Sequence, residues 1–125
     1  MKILIAPDSF KGSNSSLKVA EAIEEGVYRV FPDAEIEKVP IADGGEGTVE
    51  ALVQANEGEM VHLSVQGPLG DPVESFYGIV DEGTAVIEMA AASGLDLVPE
   101  EKRDVRRAST YGTGQLILHA LEQGV

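Results

Sequence analysis

Asp8-Ser9-Phe10-Lys11-Gly12-Ser13 packs a carboxylate, an ammonium, two hydroxyls and a glycine into six residues, directly after the apolar run Ile3-Leu4-Ile5. A second polar stretch, Asp43-Gly44-Gly45-Glu46-Gly47-Thr48, combines two carboxylates, three glycines and a hydroxyl. Such sets suit an anionic ligand. An ammonium attracts it, glycines let the backbone come close, and carboxylates hold a hard cation or take a proton. Each stretch sits between a strand-like and a helix-like pattern, the place where open α/β sheets hold ligands. The two loops are therefore expected to face each other across one anion-and-metal site.

Each of these residues also has a plainer reading. Lys11, the only cation in the two loops, is a point-charge ligand for phosphate or carboxylate, or a solvated surface lysine. Asp8 is a base or metal ligand, or it stabilises a turn through backbone N–H groups. Asp43 and Glu46 have the spacing of a metal pair and equally that of a capping box. Ser9, Ser13 and Thr48 are candidate hydroxyl donors, with Phe10, Gly12, Gly44, Gly45 and Gly47 as loop neighbours of the ligand. Thr110, Gly112, Thr113 and Gly114 form a further helix-start loop, although Gly-x-Gly alone carries little information. Glu88 lies among apolar residues, where a carboxylate needs a partner, and Ser93 follows it closely. His62 and His119 have no neighbouring ligand set and read as packing residues. Lys102, Arg103, Arg106 and Arg107 read as an exposed basic loop.

The elements that would position these groups follow from periodicity. Lys2 to Ala6 reads as a buried strand. Ser16 to Phe31 reads as a helix, apolar at Leu17, Ala20, Ile23, Val27, Val30 and Phe31, with Ser15 or Ser16 as its cap and Pro32 as its stop. Glu35 to Ile41 reads as a second strand, followed by a helix carrying Val49, Leu52 and Val53. This β-α-β-α order predicts a Rossmann- or flavodoxin-like parallel sheet. From Met60 to Met89 three short runs separated by Gly/Pro/Asp turns predict an antiparallel meander, an insertion or the start of a second lobe. A helical turn closed by Gly94, a polar loop over 99–109 and a final helix with Leu116, Ile117 and Leu121 inside complete the chain. The expected organisation is residues 1–58 as parallel α/β, 59–109 as inserted meander, and 110–125 as loop and helix leading into a missing region.

The 125 residues include no cysteine, which removes disulfides and thiol nucleophiles, and 43% are hydrophobic, enough for a core. Net charge is −13, with −15 concentrated in residues 33–101. Nucleic-acid binding is disfavoured because phosphate contacts need a basic face. The sequence offers neither a signal peptide nor the ~20-residue apolar run of a membrane span. A cytoplasmic protein is expected. No Gly-x-x-x-x-Gly-Lys-Ser/Thr loop occurs.

Four segments together resemble the type I glycerate kinase family: Asp8 to Ser13, Ala42 to Thr48, Ile87 to Leu95, and Thr110 to Gly114. Their order and spacing match along all 125 residues. The approach to the last motif departs from the family pattern, with Asp104-Val105 and Ala108-Ser109 in place of an Asn-Pro and further threonines. The resemblance implies phosphoryl transfer from ATP, with Mg²⁺, to D-glycerate, giving 2-phosphoglycerate. It implies catalytic roles for Asp8, Lys11 and Asp43, and a metal site at Asp43 and Glu46. Substrate contacts are implied from residues 9, 10, 12, 13, 44–48, 93, 110 and 112–114. It also implies a longer, two-lobed α/β protein of which this is an N-terminal portion, inactive alone, with a homodimer as the expected assembly when whole. The competing reading is a non-catalytic flavodoxin-like module that binds a small ligand or partner.

Overall fold

A computed structural model describes residues 1–10, 13–39, 41–42 and 44–125. It is mixed α/β: a two-stranded parallel sheet and a separate three-stranded antiparallel sheet. The chain divides into two compact units, Met1–Ala51 and Leu52–Val125.

In the first unit, β1 (Lys2–Ile5) pairs in parallel with β2 (Glu35–Lys38), Ile3 opposite Ile36. Between them runs α1 (Ser16–Tyr28), begun by Ser15, whose Oγ accepts the Lys18 N–H at 3.4 Å. Ser15 thus satisfies one of the N–H groups that a helix start leaves open. The helix ends at Tyr28, short of the expected Phe31, and the chain turns through Val30 and Phe31, both bonded back to the Val27 carbonyl. Ala20 is fully buried and Ile5 nearly so. At the exposed rim, Lys38 bonds Glu24 at 2.6 Å and Lys2 bonds Glu37 at 2.8 Å.

The helix expected from the capping-box spacing begins later than that spacing implies. Its observed span, α2, is Thr48–Ala55, and it runs across the division between units. Gly44 and Gly47 have φ of 93° and 86°, a left-handed backbone that cannot belong to a right-handed helix. Glu46 therefore precedes the helix and is no capping-box partner within it. Asp43 lies outside the described residues.

The second unit contains the meander: β3 (Glu59–Gln66), β4 (Pro72–Asp81) and β5 (Thr84–Val86), in that order across the sheet. On it pack α3 (Met89–Ser93) and α4 (Tyr111–Glu122). The core is Val65, Tyr77, Ala92, Leu116 and Ala120, with Val61, Leu63, Val73 and Ile79 half-buried around it. The buried side of α4 is Gly112, Leu116 and Ala120. Ile117 and Leu121, expected inside, are 47% and 61% exposed. The helix presents an i, i+4, i+8 row of small and medium residues to the sheet, so it lies close and turns its neighbouring leucines away. Gly94 closes α3 without a left-handed backbone; its N–H bonds the Ala90 carbonyl at 2.9 Å, and a Cβ there would collide with that oxygen. Across residues 99–109 the chain is an exposed loop containing a 3-10 turn at Glu100–Lys102.

Candidate functional site

In the first unit the pairing of β1 and β2 continues beyond the strands. The Val39 N–H bonds the Ile5 carbonyl at 2.8 Å, and the Ile41 N–H bonds the Pro7 carbonyl at 3.1 Å. The chain at Pro7 and the chain at Ile41 therefore lie side by side at the carboxyl end of the parallel pair. Asp8 and Ala42, the next residues, open the two candidate loops from adjacent points.

The first loop is pinched at its base. Phe10 and Asn14 exchange backbone bonds, the Phe10 N–H to the Asn14 carbonyl at 2.9 Å and the Asn14 N–H to the Phe10 carbonyl at 3.1 Å. Ser13 N–H reaches the same Phe10 carbonyl at 2.9 Å, and the Asn14 amide donates to Ser13 Oγ at 3.0 Å. Asp8 is exposed, and its Oδ1 accepts the Ser9 N–H at 2.7 Å. That bond engages one carboxylate oxygen with the adjacent backbone and leaves the second for other work. Lys11 and Gly12 lie outside the described residues, as does Asp43.

In the second loop, Thr48 donates from Oγ1 to the Gly45 carbonyl at 2.7 Å, and its N–H reaches that carbonyl at 3.2 Å. The Thr48 hydroxyl proton is thereby used, so toward a ligand this oxygen can only accept. Glu46 is exposed. Among the described residues no three His, Asp or Glu side chains converge as a metal group. Glu46 alone still fits Mg²⁺, which takes one or two carboxylates and keeps water and phosphate oxygens for the rest.

In the second unit the structure joins two expected residues from different motifs. Ser93 Oγ and Thr113 Oγ1 are 2.8 Å apart, both half-buried, linking the end of α3 to the first turn of α4. Thr110 and Gly114 are exposed, and nothing lies within 4 Å of a Cβ added at Gly114. Gly112 differs: it is buried, and a Cβ there would strike the Gln66 carbonyl at the end of β3. The same strand end is held by Gln115, whose Oε1 accepts the Gln66 N–H at 2.7 Å. Gln115 went unremarked in the sequence, since nothing marks its partner 49 residues away. The Ser109 N–H also bonds the Pro68 carbonyl at 3.0 Å, tying the approach loop to the β3–β4 hairpin.

The remaining candidates are structural. Glu88 is buried and is not without a partner. His119 shares a 3.0 Å hydrogen bond with the Tyr77 hydroxyl, and His62 lies tilted against Phe76. Arg106 is clasped by Asp104 through Nε at 3.0 Å and Nη2 at 2.9 Å. Those bonds hold the Asp104 carboxyl below its ordinary pKa and raise that of the arginine. Arg103 donates from Nε to the Val98 carbonyl at 3.3 Å, so two of the four basic groups are already engaged. No described helix is long and apolar enough to cross a membrane.

Comparison with known proteins bears on the chain as a whole. The chain is 59% identical over 126 residues to a glycerate kinase of Haemophilus influenzae and 58% identical over 125 residues to the glycerate 2-kinase of Escherichia coli. It is covered by these matches over 100% and 99% of its length, yet spans only 33% of each relative. A crystal structure assigned as glycerate kinase 2 from Salmonella typhimurium LT2 superposes with a TM-score of 0.79 at 56% identity, covering 100% of this chain and 34% of that one. The model of the glycerate kinase family matches residues 3–125; the chain belongs to the glycerate kinase family.

Proposed function

We propose that this chain supplies the substrate-side loops of a glycerate kinase, which transfers the γ-phosphoryl group of ATP to the C2 hydroxyl of D-glycerate and gives 2-phosphoglycerate. The observation that carries the reading is the Ile41–Pro7 backbone bond, from which both polar loops depart at the carboxyl end of the parallel pair. That is where α/β sheets hold their ligands. The family membership and the names of the relatives supply the substrate and the reaction.

In this reading Asp8 uses its free carboxylate oxygen to take the proton of the attacking hydroxyl. As the new P–O bond forms, the bond from γ-phosphorus to the bridging oxygen breaks, and ADP leaves with that electron pair. Lys11 offsets the negative charge of the glycerate carboxylate or of the moving phosphoryl group. Ser9, Ser13 and the loop backbone around Phe10 and Gly12 orient the hydroxy acid, while Gly44, Gly45 and Gly47 bring the second backbone close. Thr48 accepts a hydrogen bond from a substrate hydroxyl, its own proton being committed to Gly45. Asp43 and Glu46 would hold Mg²⁺, whose contribution when bound is to neutralise phosphate oxygens. In the second unit, the Ser93–Thr113 hydroxyl pair with Thr110 and Gly114 offers donors to an anion at the start of α4. Catalysis by the whole enzyme would take place in the cytoplasm.

Calorimetric titration of the full-length polypeptide with D-glycerate and Mg-ATP, followed by a turnover assay, tests this. Binding of both and formation of 2-phosphoglycerate is the expected result. A folded full-length product that binds neither ligand would leave a non-catalytic module in its place.

A further inference from the structure

Helix α4 is held by polar bonds on both flanks of its buried face. Gly112, Leu116 and Ala120 are its buried residues. At roughly 100° per residue, Gln115 and His119 fall to one side of them and Thr113 to the other. Thr113 Oγ1 lies 2.8 Å from Ser93 Oγ at the end of α3. On the opposite flank Gln115 Oε1 accepts the Gln66 N–H at 2.7 Å, and His119 Nδ1 meets the Tyr77 hydroxyl at 3.0 Å. Gln66 ends β3, the outer strand of this sheet. Its carbonyl lies so close to Gly112 that an added Cβ would collide with it. The helix start is thus seated on Gln66 through Gly112, and Gln115 grips the N–H of the same residue from the side.

A grip on the flank resists roll about the helix axis, which apolar packing alone resists weakly. A side-chain oxygen about 5 Å from the axis moves by roughly 2 Å when a helix rolls by about 20°. In an enzyme a misplacement of about 1 Å can cost about 10²-fold in rate. The hydroxyl pair on the far flank is sensitive to such a roll: one of its two protons is spent inside the pair and the other is left to donate. We propose that Gln115 is a positioning residue of the phosphoryl-transfer reaction. Its bond to the Gln66 N–H fixes the roll of α4, and so the direction in which the Ser93–Thr113 pair offers that remaining proton to a carboxylate or phosphate oxygen of the substrate. The side-chain carbonyl is the part that acts; the amide N–H groups are dispensable. This assignment deepens the glycerate kinase reading and rests on it.

Two variants of the full-length polypeptide separate positioning from mere stability. Gln115→Met keeps the length of the side chain and loses the acceptor, whereas Gln115→Glu keeps an acceptor oxygen and loses the amide N–H groups. Steady-state KM is measured for D-glycerate and for Mg-ATP, since KM does not depend on how much of the enzyme is folded. The expected result is a rise of roughly tenfold or more in one KM for Gln115→Met, with Gln115→Glu recovering most of it. A rise for D-glycerate identifies the acceptor as its carboxylate, and a rise for Mg-ATP identifies a phosphate. Both KM values unchanged in Gln115→Met would overturn the proposal, even with a lowered melting temperature, because the bond would then serve stability alone. A Gln115→Glu enzyme as impaired as Gln115→Met would overturn it too. Should Gln115→Met not fold, Gln115→Asn, which withdraws the acceptor by one methylene, carries the same expectation. A parent enzyme that turns over no glycerate would remove the kinase reading itself, whereas an active parent with an indifferent position 115 removes only this assignment.

Discussion

At the scale of single residues, Lys11 is the one cation in the sequence of the two polar loops, and the proposed chemistry leaves no substitute for its charge. Lys11→Ala in the full-length enzyme should lower kcat/KM by about 10²-fold or more, in the range lost with other charge-stabilising donors. Circular dichroism should be unchanged, because position 11 falls in sequence between the end of β1 at Ile5 and the start of α1 at Ser16. A full-rate variant would remove Lys11 from the mechanism. Tyr77 makes a different prediction. Burial, and secondarily the charge of Glu59, raise its pKa above the ordinary value. The stabilising effect of the neutral phenol is therefore fully present below pH ~10 and lost as pH rises through the folded-state value. Denaturation midpoints measured across about pH 9 to 11 should fall less steeply for Tyr77→Phe than for the parent. At neutral pH the same substitution should cost about 1 kcal/mol through the lost His119 bond.

Legibility in the sequence was uneven at this scale. His119 as a packing residue, set against Tyr77, could be read from type and neighbourhood. The bond between Ser93 and Thr113 could not, although both were marked as candidates, because a pairing across 20 residues depends on how two helices meet. Nor could the fate of the Thr48 proton, which is decided by the backbone bend at Gly45.

At the scale of elements, two glycines of one motif have opposite jobs. Gly112→Ala would push a methyl group into the Gln66 carbonyl, and overpacking of this kind costs about 1–3 kcal/mol. Gly114→Ala meets open space in the first turn of α4 and should stabilise by up to ~1 kcal/mol on helix propensity. Urea melts of the two variants should move in opposite directions. The same pattern of Gly-x-Gly in the sequence gave no means of separating them, since the distinction lies in which one faces β3.

Element boundaries failed where backbone sign overruled side-chain spacing. Asp43 and Glu46 have the right separation for a helix cap, yet two left-handed glycines delay α2 to Thr48. Gly47→Ala should cost ~1–2 kcal/mol, the usual penalty for an L-residue forced into that region, with the loss visible in chemical denaturation. The parallel order of β1 and β2 and the later meander were legible because period and turn residues agree there.

For the whole molecule, net charge of −13 governs association at a distance. The full acidic stretch sits in residues 33–101, and the C-terminal bases are few, with Arg106 already clasped by Asp104. No retention on immobilised duplex DNA at physiological ionic strength is expected, for want of a basic face; retention there would require a cationic surface that the charge distribution does not offer. The hydrophobic content foretold a core, but not which apolar residues would stay on the surface. Ile23 and Val30 read as sheet-facing from periodicity, yet Ile23 is 43% exposed and Val30, past the end of α1, is 68% exposed, because a sequence cannot say how wide a face its own sheet covers.

The start of α4 and the tip of the β3–β4 hairpin are fastened at three points: Ser109 to Pro68, Gln115 to Gln66, and Gly112 flush against the Gln66 carbonyl. Displacing the hairpin tip at Pro68 would therefore strain the three attachments that hold the start of α4.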